Sequence, residues 1–471
     1  MKKRFISIIL TTLLVCTAVC GCSGNENANN SSTVSENSNQ NSASQDQNGT
    51  VVETESNVTD IDLYLTYNYS EDLAWVIFNK GEGTEKQQYC GCIDKSGNLV
   101  FYIDENSLGT SPLLSKLTPY SNGYSYIETS NSLYLLNKSG TVLQTYPIVP
   151  EKSGNKAIAY ADGYVWYQEY VSDFDEAYYK YSLYDSNKNI VTEFEYEGTE
   201  PIESMDYYGK KVWAYYNRNK ENPINSVYFT DGNKWIDSYT DFYFYDDIAI
   251  IGPTHDNEDT DVGYLSFIDS KGNQTYTQLP DNIGRWNDIQ CYAISDDYCV
   301  LYHSGYAKQE YLAIYNVSTK KFIKMDNKYN DKIDYDSLPD DSGELMFENG
   351  KIALRLIGSD GDSYVGLFDT SWNIIGEPIK SSIYYFSDGK LVTDKNIYDE
   401  NMKILFSADD FGYKSVSSYH NGIAHAKTDG MQISSGGETY GYEDDWFYID
   451  SDGNRLFDSI NMKSAIKMQL Q

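Results

Sequence analysis

The feature that most restricts the fold is a strand–turn–strand pattern that recurs nine times along the chain. It reads CIDKSGNLVF from Cys92, LLNKSGTVLQ from Leu135, LYDSNKNIVT from Leu183 and FIDSKGNQTY from Phe267. It continues as LFDTSWNIIG from Leu367, IYDENMKILF from Ile397 and YIDSDGNRLF from Tyr448, with degenerate copies YFTDGNKWID from Tyr228 and IYNVSTKKFI from Ile314. The turn residues are Asp94, Asn137, Asp185, Asp231, Asp269, Asn316, Asp369, Asp399 and Asp450, about 44 residues apart on average, a period typical of one sheet per repeat. An Asp or Asn oxygen there can accept turn amides, and Gly at the fourth turn position tolerates positive φ.

A second signal alternates with the first. Asn122-Gly123, Asp162-Gly163, Tyr208-Gly209, Asn349-Gly350, Asp388-Gly389 and Asn421-Gly422 each introduce an apolar run, with weaker forms at Asp72, Asp246-Asp247 and Asp296-Asp297. Asn-Gly and Asp-Gly suit type I′ hairpins, in which both central residues need φ > 0. Between the turns, Tyr (46 in all), Val, Ile, Phe and Trp recur in runs of short-strand length. Each unit then holds three or four antiparallel strands and cannot cover both faces of its own sheet. Neighbours must stack, and closing the stack protects its ends. The expected fold is an all-β propeller of about seven to nine blades over 61–458, with a tail at 459–471. An open β-solenoid array or two smaller β domains are the alternatives.

Gly91-Cys92-Ile93-Asp94-Lys95-Ser96-Gly97-Asn98, and His420-Asn421-Gly422-Ile423-Ala424-His425 taken with 449–454, carry a resemblance, and Val365-Gly366-Leu367-Phe368-Asp369 is a looser copy. Together they resemble the WG-repeat family, although the signature Trp-Gly is absent from every unit. The resemblance implies an architecture and carries no catalytic residues.

The N-terminus predicts an address. Lys2, Lys3 and Arg4 precede an apolar run at 5–19, the layout of a secretory signal peptide. Fifteen helical residues reach only about 22 Å, short of a ~30 Å hydrocarbon core. Val19-Cys20-Gly21-Cys22 resembles the lipobox of bacterial lipoproteins, with Cys20 where Ala, Ser or Thr is usual. The resemblance implies cleavage before Cys22, lipidation of its thiol, and anchoring at the extracytoplasmic face of a membrane. An ordinary signal peptide with incidental cysteines is the alternative. Residues 22–60, rich in Asn, Ser, Gln and Glu, read as a tether too polar to bury a core.

A formal charge of −34, becoming −37 once Lys2, Lys3 and Arg4 leave, repels nucleic acid. Cys90 and Cys92, two apart, share one face of a strand and cannot easily bond each other. Buried thiols are the expectation for these two, and an oxidised Cys291–Cys299 pair is the alternative for the others.

Trp75, Tyr126 and Trp166 stand at equivalent places, three residues past the first turn. Exposed, they would form a stacking platform for sugar rings or peptide side chains. Buried, they would pack sheet on sheet. The acidic loops at 255–261 and 326–341 offer oxygens for calcium but follow no EF-hand register, so solvated loops are expected. His420 and His425, read as lying on one strand, would face opposite sides and make a poor joint metal site. No nucleophile elbow, zinc helix or phosphate loop occurs. The sequence therefore predicts a non-enzymatic binding module without metal or cofactor, its ligand a protein, peptide or envelope polysaccharide. A polysaccharide-acting enzyme is the alternative.

Overall fold

A computed structural model describes 61–81, 87–109, 111–112, 115–148, 155–172 and 177–196, then mostly strand residues between 202 and 303. It also describes 311–326, 328–335, 347–382, 384–435, 438–457 and 460–470. Cys22, the tether, the acidic loop at 255–261 and the turns at 208–209, 246–247 and 296–297 lie outside the described residues.

Among the described residues nine antiparallel sheets follow one another along the chain, in sequence order within each sheet. Their cores span 61–104, 116–147, 156–196, 204–238, 242–278, 289–324, 347–380, 384–407 and 415–449, here blades 1 to 9. Each carries one of the nine Asp or Asn turn residues between its last two strands, or in blade 9 at the end of its last strand. First strands of neighbouring blades touch, as in Lys156–Ala161 with Ser204–Tyr207 and Ile289–Ser295 with Phe347–Glu348, which places them on the inner wall of a ring.

Packing follows from two apolar faces per sheet. In blade 1, Ala74, Val76 and Phe78 enter one cluster while Trp75 and Ile77 enter another, because successive strand residues point to opposite faces. The first cluster closes the ring. It joins blade 1 to Ile423 and Tyr448 of blade 9, with the Tyr448 hydroxyl donating 2.7 Å to the Tyr67 carbonyl. The chain then returns to blade 1. Ile466–Met468 pairs in parallel with Leu99–Asp104 as a fifth strand, Leu99 N–H donates 2.8 Å to the Asn461 carbonyl, and Lys467 meets Asp104 at 3.4 Å.

The two turn signals fold as their chemistry requires. Glu71/Asp72, Asn122/Gly123, Asp162/Gly163, Asn349/Gly350, Asp388/Gly389 and Asn421/Gly422 all have both residues at positive φ. The second turn residue has an amide that the hairpin leaves free, and the preceding blade caps it. Gly123 donates to Glu71 (2.9 Å), Gly163 to the Tyr126 hydroxyl (2.9 Å), Gly389 to Glu348 (3.2 Å) and Gly422 to Asp388 (2.7 Å). Burial pulls the Glu71 pKa upward, but the Lys138 ammonium and the Gly123 amide outweigh it and hold the carboxyl below its ordinary value.

A third recurrence ties the two turns of a blade together. Tyr69, Tyr120 and Tyr419, each two residues before the hairpin turn, donate to the carbonyls of Asp94, Asn137 and Asp450 at 2.8, 3.2 and 3.2 Å. Phe386 holds the same place in blade 8 without a hydroxyl.

At the fourth position of the Asp turn, Gly97, Gly140 and Gly453 are left-handed, and so are Lys188, Trp372 and Met402. Gly140 is also confined, since a Cβ there would lie 2.5 Å from the Phe101 ring of blade 1. Lys188 is exposed and has no such neighbour to satisfy. Lys188→Gly should therefore stabilise the ring by about 0.5–1 kcal/mol in chemical denaturation. Met468→Ala, which empties a buried place under the returning strand, should cost about 2–4 kcal/mol by the same measurement.

Candidate functional site

The aromatic position three residues past the hairpin turn lies between blades. Trp75, Tyr126 and Trp166 are only 1%, 2% and 0% exposed. The Trp75 indole donates to the Thr118 carbonyl (2.8 Å) and the Ser125 hydroxyl (3.0 Å) of blade 2 and stacks on Tyr120. Tyr126 donates 2.8 Å to the Tyr164 carbonyl of blade 3. Trp166 packs among Phe194, Met205, Trp213 and Tyr228. The stacking-platform reading of these three residues is corrected: a sheet with two apolar faces buries its largest side chains against the next blade. Ala353, Val392 and His425 fill the same position in blades 7, 8 and 9.

Carboxylates of the repeated turn are likewise committed. Asp94 accepts the amides of Ser96 and Asn98 at 2.9 Å and the Asn98 side-chain amide at 2.9 Å. Asp185 and Asp369 repeat that set, Asp399 accepts two backbone amides, and Asp450 accepts those of Asp452 and Asn454. These oxygens organise turns and leave little for a cation. Among the described residues no three His, Cys, Asp or Glu side chains gather as a metal site needs. In the second acidic loop, Asp334 sits beside Arg355 at 4.0 Å, and residues 336–346 lie outside the described residues.

The thiols at 90 and 92 are buried in one cluster, as expected of residues on one strand face. Burial pushes the Cys90 thiol up to about 12 and the Cys92 thiol higher still, so neither supplies a thiolate near neutrality. Strand register places Cys291 opposite Leu301 and Cys299 opposite Ile294, so the two cysteines do not face each other.

Histidine placement departs from expectation. The Asn421-Gly422 turn reverses the chain between His420 and His425, so the two do not share a strand. His420 Nε2 lies 3.0 Å from the Ser418 hydroxyl. His425 packs its ring edge-on to Trp446, its amide donates to the Ser417 hydroxyl, and its buried Nδ1 has no hydrogen-bond partner. Burial, with the nearby His420 adding to it, lowers the His425 pKa to about 4.

The turns considered so far lie at one end of each sheet. At the other end, antiparallel order places the connection from second to third strand and the crossover to the next blade. These vary widely. The first kind is a two-residue link between Lys390–Thr393 and Asn396–Asp399, but in blade 5 it runs from Thr254 to Tyr264. Crossovers run from Ser238 to Phe242 after blade 4 and from Lys324 to Phe347 after blade 6. Among the described residues, the connections at this end are the ones whose length changes most from blade to blade.

No family model matches the chain, and no curated protein matches it by sequence. Solved structures do align with it. A eukaryotic initiation factor aligns at 12% identity over 80% of this chain and 96% of its own, with a TM-score of 0.44. The β-propeller domain of the Trilobed protease from Pyrococcus furiosus aligns at 10% identity over 84% and 98%, with a TM-score of 0.32. The WD40 domain of Pan2 from Neurospora crassa aligns at 10% over 69% and 91%, with a TM-score of 0.26.

The His425 environment sets a pH dependence. Its folded pKa lies below the unfolded value near 6.5, so the unfolded chain takes up a proton first as pH falls. Stability present above pH ~6.5 should fall toward pH ~4, by on the order of 2–3 kcal/mol. The wild-type denaturation midpoint should drop more than that of His425→Gln across this window, and parallel curves would refute the assignment.

Proposed function

We propose that the protein is a secreted lipoprotein whose ring acts as an interaction module outside the cell. Acylated Cys22 would anchor it at the extracytoplasmic face, with 22–60 as spacer. Two acyl chains give durable membrane attachment where a single chain gives marginal binding. The ligand class is a protein, peptide or envelope polysaccharide.

The observation that carries this reading is a division of labour within each blade. Side chains that recur from blade to blade, including the turn Asp, the Tyr before the hairpin and the residue three past it, are consumed by turns and blade contacts. The connections at the opposite end are free of that duty and differ from blade to blade. A rigid frame presenting variable loops is the arrangement binding proteins use.

Two measurements test it. Growth with a clickable fatty acid should label the wild type, while Cys22→Ser should lose the label and appear in the medium. Residues 58–471, screened against envelope glycans and extracellular proteins with and without calcium, should give saturable binding without turnover. Glycan turnover that disappears on changing one Asp or Glu would replace the module with an enzyme.

A further inference from the structure

Blade 9 departs from the other eight in the length of its strands. Its two long strands, Ala424–Ser435 and Glu438–Ile449, have twelve residues each, whereas no other strand among the described residues exceeds nine. Pairing with the first strand of the blade, Ser415–Val416, ends at Lys427. From Thr428 to Ser435 the second strand continues, paired only to Glu438–Asp445, with no strand on its other edge among the described residues. At about 3.3 Å per residue this free edge runs for roughly 25 Å.

Two physical facts make the edge informative. A two-stranded ribbon is marginal in water, and a third strand is the ordinary remedy. Proteins also blunt unused edges with Lys, Pro or bulges. Between 428 and 445 there is no Lys, Arg or Pro, and the pairing register shifts between Asp429 and Gln432 and between Ile433 and Ser434, so the free edge is offered in short runs rather than as one unbroken ladder. The segment instead carries Asp429, Glu438, Glu443, Asp444 and Asp445, and register sets Asp429 directly opposite Asp444. Like charges at directly paired positions disfavour the ribbon on its own.

We propose that the 428–435 edge is a docking site for an extended, lysine- or arginine-bearing segment of another protein, added as a third strand antiparallel to it. The incoming strand continues the line of Ser415–Val416, which already templates that edge up to Lys427. Main-chain hydrogen bonds supply affinity, and cationic side chains, attracted by a segment that carries acidic residues and no basic one, supply selection. A second copy of this chain is a poor occupant, because its charge of −34 opposes approach to an acidic edge. This assignment rests on the reading of the ring as an interaction module and commits it to one surface.

The test uses residues 58–471 and an octapeptide of alternating Lys and Val, followed by fluorescence anisotropy. Any cationic peptide is drawn to this chain, so the control is the same peptide N-methylated at every backbone amide, with equal charge but no strand-pairing donors on either edge. We expect at least tenfold weaker binding of the methylated form, and slowed hydrogen exchange at 428–435 with the unmodified one. The pair Asp429→Lys and Asp444→Lys keeps the backbone and should invert preference toward a Glu–Val octapeptide. Equal affinity for both Lys–Val peptides, or unchanged preference in the charge-reversed chain, would overturn the docking site. Binding of other ligands by a chain with 429–444 replaced by Asn-Gly would leave the module reading intact.

Discussion

In blades 1, 2, 3, 7, 8 and 9 the sheet packs an apolar cluster on each face, and that constraint organises the rest. A single four-stranded sheet of this kind exposes one face or the other unless a neighbour covers each side. A row of them would still leave two faces bare. Contact of blade 9 with blade 1, through Ile423, Tyr448, Tyr69 and Ala74, removes those last two faces. The cluster is wholly apolar apart from tyrosine hydroxyls, and the Tyr448 hydroxyl finds a backbone carbonyl on the far side of the junction. The returning strand Ile466–Met468 adds main-chain bonds to the same blade and seats Met468 beside Phe101 and Gly140, where blades 1 and 2 meet.

Hairpin turns do more than reverse the chain. Each type I′ turn leaves one amide unspent, and a side chain of the preceding blade takes it: Glu71, Tyr126, Glu348 and Asp388 at four junctions. Blade-to-blade polar contacts thus concentrate at one end of the sheets, while the clusters between faces are almost wholly apolar. That end is fixed in length and chemistry. The far end, relieved of the task, is where the connections and the long ribbon of blade 9 diverge.

How much of this the residues announce depends on whether a feature is local. Among the described residues, seven of the Asp or Asn turns and the Asn-Gly hairpins appear where the sequence puts them, because a few consecutive residues contain the whole of their hydrogen bonding. Tyr69, Tyr120 and Tyr419 share a place two residues before their hairpins, yet the partner carbonyl lies seventeen to thirty-one residues away, so the pattern alone does not reveal the bond. The returning strand is a three-residue IKM with no alternation to mark it, and it is held by a blade more than three hundred residues earlier. His420 and His425 looked like strand neighbours because the turn between them was read apart from its consequence for their side chains.

The sequence by itself determined the class of fold, the number of repeats and the turn types, since these follow from alternation, spacing and the φ each turn requires. Tertiary structure decided what each repeated residue faces. Trp75, Tyr126 and Trp166 carry the same chemistry whether they meet a ligand or the next blade, and only the position of that blade, 0–2% of their surface remaining, made them wedges. It likewise decided that one strand of blade 9 outruns its neighbour and keeps a bare edge. A strand's own residues fix its tendency to extend, but whether its edge is covered depends on where a distant segment of chain stops.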